Sequence, residues 1–193
     1  MSAENENIYS GLSHAAWGYF FLHFDFNLGT VSIFPRFLGY LLLLSAIGKL
    51  SGERRDLALL RPLAMLLAGW SGLDWLLSWV GGDLDGHVLF LELLAAVANL
   101  YFHFQFLTDM AALAEQYQPE EDNLDQRLRR RRTVYVVLVT AIALVTDLPA
   151  GLLEDWQYWT ALGMAVAACG AALFVMTGLF GLRRCFWEGQ PSA

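Results

Sequence analysis

A small set of ionisable side chains interrupts otherwise apolar stretches of this sequence: Asp25, Arg36, Asp74, Glu92 and Asp147. In hydrocarbon each ionised group costs at least ~2.5–3.5 kcal/mol even on lenient insertion scales, so these groups are expected to face one another or water. Arg36 makes the sharpest demand. It follows Pro35 at the start of an apolar run, where the helix dipole disfavours a cation by ~0.3–1 kcal/mol. It is therefore expected to contact at least one of Asp25, Asp74 and Glu92. A guanidinium–carboxylate cluster of this kind either pins helices together as a structural ion pair or receives a small polar solute or ion.

A second constellation runs along one stretch, Gly86 to Gln118, where Glu92, Asn99 and His103 fall at i, i+7 and i+11. On a helix these positions lie within about 20° of one line. They suit a pocket lining or a proton ladder, and equally hydrogen-bonded packing between helices. Trp70, one turn before Asp74, is placed to stack on a ligand or to fill the core. The candidate site thus comprises Asp25, Arg36, Asp74 and Glu92, with Trp70, Asn99 and His103 lining the pocket. Asp109 and Gln105 fall near the opposite interface and carry no assignment.

Other chemistries find little footing. His23 and Asp25 point about 200° apart on a helix, so a shared metal ion requires the helix end to unwind, and no metal is assigned. Ser32, Ser45, Ser71 and Ser78 lack a nucleophile-elbow context, and there is no glycine-rich phosphate loop. Neither catalytic residues nor a cofactor are assigned. An intramembrane enzyme using Glu92 and His103 as acid and base stands as a third reading, behind solute binding and a structural or accessory subunit.

The elements that must position these residues follow from composition. At 193 residues, 56% hydrophobic and only 16% charged, the chain is too apolar for a soluble domain of its size. The fold class expected is an all-α membrane protein, a single polytopic bundle of six transmembrane helices, or five if the first is re-entrant or interfacial. Helices are predicted at about 9–24, 35–50, 57–80, 86–118, 123–148 and 155–184, in one domain over residues 1–193. The first apolar run follows an acidic segment, Ser2 to Asn7, so it does not resemble a cleaved signal peptide. In the last run Gly163, Ala167, Gly170 and Ala171 are expected to admit a close helix neighbour. Cys169 and Cys185 are read as free thiols.

Of the twelve Lys and Arg residues, all but Arg36 fall in the second-to-third and fourth-to-fifth connections or after the last helix. The positive-inside rule makes that face cytoplasmic, with both termini inside a bacterial cytoplasmic membrane and the acidic cluster outside. The fourth predicted helix exceeds the ~30 Å of hydrocarbon, so residues 109–132 are expected to form a cytoplasmic helical hairpin. Its acids pair internally with Arg127, Arg129, Arg130, Arg131 and Arg132, whose surplus charge suits anionic lipid headgroups or a cytosolic partner. The expected partners are therefore the bilayer and a small polar solute; nothing supports nucleic-acid binding. As architecture, and without a shared motif, six helices in about 190 residues with a polar site in the outer half resemble the substrate-binding subunits of energy-coupling-factor vitamin transporters.

Overall fold

The structure, a computed structural model, describes residues 3–24, 27–28, 31–32, 35–80, 89–119, 122–146 and 157–188. It is helical apart from one minimal β-ladder. The helices are α1 (Ala3–His23), α2 (Arg36–Leu50), α3 (Arg55–Leu59), α4 (Arg61–Ser78), α5 (Leu89–Tyr117), α6 (Leu124–Thr146) and α7 (Gln157–Glu188). Strands β1 (Asn27–Leu28) and β2 (Val31–Ser32) pair antiparallel within the α1–α2 connection.

Where the bounds differ from expectation, local chemistry explains it. α1 starts in the polar segment before Tyr9, which carries no apolar signal but also no helix breaker. The stretch expected as one helix over 57–80 is divided at Leu60, because Pro62 has no N–H to donate and fits only at the start of a new helix, where it sits in the first turn of α4. α7 continues through Arg183 and Arg184 to Glu188. Asp25, Asp147 and the connection around Asp83 lie outside the described residues.

Consecutive helices pack as neighbours, α1 on α2, α2 on α4, α4 on α5, α5 on α6, α6 on α7, and α7 returns to α1. Paired contacts fix the directions. Gly11 meets Leu50 while Gly18 meets Leu43 and Gly39, so α1 and α2 run antiparallel. Ser13 meets Arg183 and the His23 carbonyl meets Cys169, so α1 and α7 do too. The result is an alternating ring of six long helices, with α3 packed beside α2, α4 and α5.

The α1–α2 seam is the tightest contact. A Cβ on Gly39 would lie 2.8 Å from the Gly18 carbonyl oxygen and 2.7 Å from Leu22 Cγ, so the two backbones touch where only glycine fits. Around the seam Leu12, Ala15, Ala16, Leu43, Ala46, Ile47 and Leu50 are buried. Two α7 glycines behave otherwise: among the described residues a Cβ on Gly163 or Gly170 would meet nothing within 4 Å. The close approach expected at Gly163 and Gly170 is instead made further along, at Gly178, against Arg131 and Leu128 of α6.

The outward faces are apolar. Met65, Leu66, Leu73 and Leu76 of α4, Phe90, Leu91, Leu93, Leu94 and Val97 of α5, and Leu162, Val166 and Leu173 of α7 are all exposed. Two described helical segments, Phe90–Tyr117 and Leu162–Phe186, are long and apolar enough to cross a bilayer. α2, at 15 residues and therefore about 22 Å, is short for a crossing on its own.

Candidate functional site

One end of the ring gathers the start of α2, the end of α4 and the start of α5, and with them Arg36, Asp74 and Glu92. The opposite end holds Lys49, Arg54, Arg61, Arg129 and Arg183. The contacts between Lys49 and Ser10, Arg61 and Ser51, Tyr117 and Glu53, and Arg129 and Glu115 all lie there. Every Lys and Arg except Arg36 thus gathers at that end, with acids at both.

Between the helices at the first end lie two adjoining cavities. The first, about 270 Å³, is lined by Leu22, His23, Arg36, Tyr40, Asn99, His103, Tyr135, Val139, Ile142 and Ala168. The second, about 290 Å³, is lined by Arg36, Tyr40, Leu67, Trp70, Ser71, Asp74, Glu92, Ala95, Ala96 and Asn99. Each approaches the lower end of small-ligand pocket sizes and has room for several waters. Arg36, Tyr40 and Asn99 border both. The Tyr40 hydroxyl donates to Asn99 Oδ1 at 2.8 Å, so this pair stands where the cavities meet.

Of the residues singled out in the sequence, Arg36, Asp74, Glu92, Trp70 and Asn99 come together around the second cavity. His103 belongs to the first, and Asp25 lies outside the described residues. The contact expected of Arg36 is not made with Asp74 or Glu92: Arg36 is exposed and forms no salt bridge among the described residues. It sits at the first position of α2, behind Pro35, where the guanidinium borders both cavities rather than closing on one acid.

The first cavity has an ordered polar wall. His23 Nδ1 lies 3.0 Å from the Tyr19 carbonyl, an acceptor only, so the ring proton sits on Nδ1. Nε2 then accepts from the Tyr135 hydroxyl at 3.0 Å. His103, only 2% exposed, lies with Nδ1 3.0 Å from the Tyr19 hydroxyl. With the phenol donating, the neutral ring carries its proton on Nε2, which makes no hydrogen bond to another described residue. Tyr19, Tyr135 and Phe102 surround that imidazole with ring centroids 5.3 Å from it. Four polar side chains from α1, α5 and α6 are therefore fixed against one another, and the wall can donate to or accept from a guest without rearranging.

Sequence reading missed Tyr19, Tyr40 and Tyr135. Two of them carried a signal: Arg36 and Tyr40 are spaced i, i+4 on α2, as are Tyr19 and His23 on α1, so each pair shares a helix face. Asp109 was also underread. It is buried, Gln105 donates to its Oδ1 at 3.2 Å, and Oδ2 has no hydrogen-bond partner among the described residues.

No family model, curated protein or solved structure matches this chain. The architectural resemblance drawn from the sequence consequently assigns no residue, and the site rests on its own geometry. In that geometry Glu92 and His103 border different, adjoining cavities. Among the described residues no group of three or more His, Cys, Asp or Glu converges as metal ligands would.

At the other end, the arginine-rich turn of α6 is largely engaged within the protein. Arg129 pairs with Glu115 at 2.6 Å, and Arg127 lies 3.6 Å from Asp122. Arg131 donates to the Phe174 carbonyl at 2.7 Å and to Thr177 Oγ1 at 2.8 Å, stacking on the Phe174 ring. Arg132 stacks on Phe104 and donates to Thr108. The hydrogen bond from Gln118, followed by smaller contributions that include Arg129, holds the Asp125 carboxyl below its ordinary value.

Proposed function

We propose that this chain is a polytopic protein of the bacterial cytoplasmic membrane that binds or conducts a small polar solute through the Arg36–Asp74–Glu92 cavity. The observation that carries this reading is the cavity itself: one cation, two carboxylates, an indole and an amide from three helices around about 290 Å³. A cluster serving only to pin helices would close these charges on one another, whereas Arg36 and Asp74 stand exposed at the cavity. Arg36 closes on neither Asp74 nor Glu92.

Support for the membrane comes from the apolar outward faces and the two segments able to span. The remaining helices cross as members of the ring, the short α2 being accommodated by local bilayer thinning. The cation-rich end faces the cytoplasm and the cavity end faces out. Surplus positive charge at Arg130 and around α6 lies level with the inner headgroups, where anionic lipid provides the countercharge.

Two measurements test this. Reporter fusions after Asp83 and after Glu121 are expected on opposite sides of the membrane, and the same side for both would overturn the topology. In purified protein, a thermal-shift screen of polar solutes is expected to yield a stabilising compound whose effect disappears in Glu92→Gln. A complete screen in which every hit stabilises Glu92→Gln equally would remove the site.

A further inference from the structure

We infer that the solute is a zwitterion, with its cationic end among Asp74, Glu92 and Trp70 and its anionic end on Arg36 and His103. The inference rests on the solute-binding reading above and concerns which chemical class that site takes. Its basis is the way charge divides between the adjoining cavities. The second presents two carboxylates and an indole face, the groups that recognise an ammonium by Coulomb attraction and by contact with a π-system. The first presents the same guanidinium with two imidazoles and no carboxylate among its described lining residues.

A second observation points the same way. His103 is 2% exposed, yet its Nε2 has no hydrogen-bond partner among the described residues and the residue borders the cavity. That nitrogen is not sealed in the core, so its hydrogen bond is open to a guest in the cavity. With the proton on Nε2, that nitrogen and the Arg36 guanidinium are both donors, matched to a carboxylate or similar anion. A purely cationic guest leaves these donors unanswered, and a purely anionic guest adds a third negative charge beside Asp74 and Glu92. Only a guest carrying both signs satisfies both sides of the Tyr40–Asn99 boundary.

The test uses the full chain in lipid nanodiscs with four probes: γ-aminobutyrate and glycine betaine, which set opposite charges at different separations, and butyrate and butylamine, each with one charge. Probes are kept at low millimolar concentration, below the range where betaine stabilises proteins by exclusion from their surface. The expected result is a rise of a few degrees in unfolding midpoint with at least one zwitterion and none with either single-charge probe. That response is expected to vanish in both Arg36→Gln and Asp74→Asn. If a variant fails to assemble, titration calorimetry of the unaltered protein with the same probes reads the charge requirement directly.

Butylamine matching the zwitterions would make this a cation site, and butyrate matching them an anion site. Either overturns the inference while leaving the solute-binding reading intact. A response unchanged in Arg36→Gln overturns the two-ended geometry. Silence to all four probes alongside a Glu92-dependent response to an uncharged solute overturns the zwitterion class alone, whereas silence to every solute removes both readings.

Discussion

The α1–α2 seam and the first half of α7 are built from the same small residues and pack in opposite ways. Gly11, Ala15, Gly18, Gly39 and Ala46 bring two helix backbones into contact, with buried leucines interleaved around them. Gly163 and Gly170 of α7 face open space at the positions a Cβ would take. Small residues permit close approach; they do not cause it. What decides is the partner: opposite Gly18 stands Gly39, whereas no described residue stands opposite Gly163.

One methyl group, added in each region, tests this comparison. Gly39→Ala places a Cβ against the Gly18 carbonyl and Leu22, and backbone cannot yield as a side-chain tip can. It is expected to cost about 2 kcal/mol, read as a lowered unfolding midpoint, with separation of α1 from α2 as the extreme outcome. An unchanged midpoint would mean the seam opens freely. The next effect is Tyr19→Phe, which keeps the ring in the core but removes the hydroxyl from His103 Nδ1. A loss of about 1–3 kcal/mol is expected, with the helical circular-dichroism signal retained.

Gly163→Ala is the counterpart to Gly39→Ala and carries the opposite sign. It fills empty space and relieves glycine's helix penalty, so a gain of up to about 1 kcal/mol is expected. A loss there would reveal a neighbour on that face. The smallest effect concerns neither region and serves as a control on the hairpin. The Asp125 carboxyl is held below its ordinary value by Gln118, so its contribution is present above the unfolded-state pKa, near about 4, and fades as pH falls through the folded value. Proteolysis of the α5–α6 connection is expected to quicken on acidification through that range, and Asp125→Asn to flatten the pH dependence.

Much of the helix order was legible because apolar runs and their breakers are local. Pro35 opens α2 and Ser51–Gly52 closes it. The division at Leu60 was legible in principle from Pro62, but an apolar pattern continuing on both sides masked it. Spanning is a different matter, since only two described segments meet the length and apolarity that a crossing needs.

The candidate site divided along similar lines. Ionisable residues in apolar runs, Arg36, Asp74 and Glu92, drew attention because their cost is intrinsic to the residue. Tyr19, Tyr40 and Tyr135 did not, because a tyrosine in an apolar helix is cheap wherever it lies and gains meaning only from a partner on another helix. His23 was weighed only against Asp25, its near neighbour in sequence, while its partner Tyr135 lies 112 positions away. A stripe on one helix shows which residues share a face but not which neighbour that face meets, and so His103 and Glu92 parted into different cavities.

The return of α7 to α1 bears on how the protein is made. Chain order runs once around the ring, so each helix meets its predecessor soon after synthesis, except that α1 must wait for α7. Until then the surface carrying Tyr9 and Ser13 lacks Arg183, which stacks on the Tyr9 ring at 4.8 Å and donates to Ser13 at 3.2 Å. α7 is therefore the keystone, and the first cavity acquires its Ala168 wall only when that helix arrives. Premature termination anywhere before α7 leaves an unclosed arc of helices, its inner faces exposed.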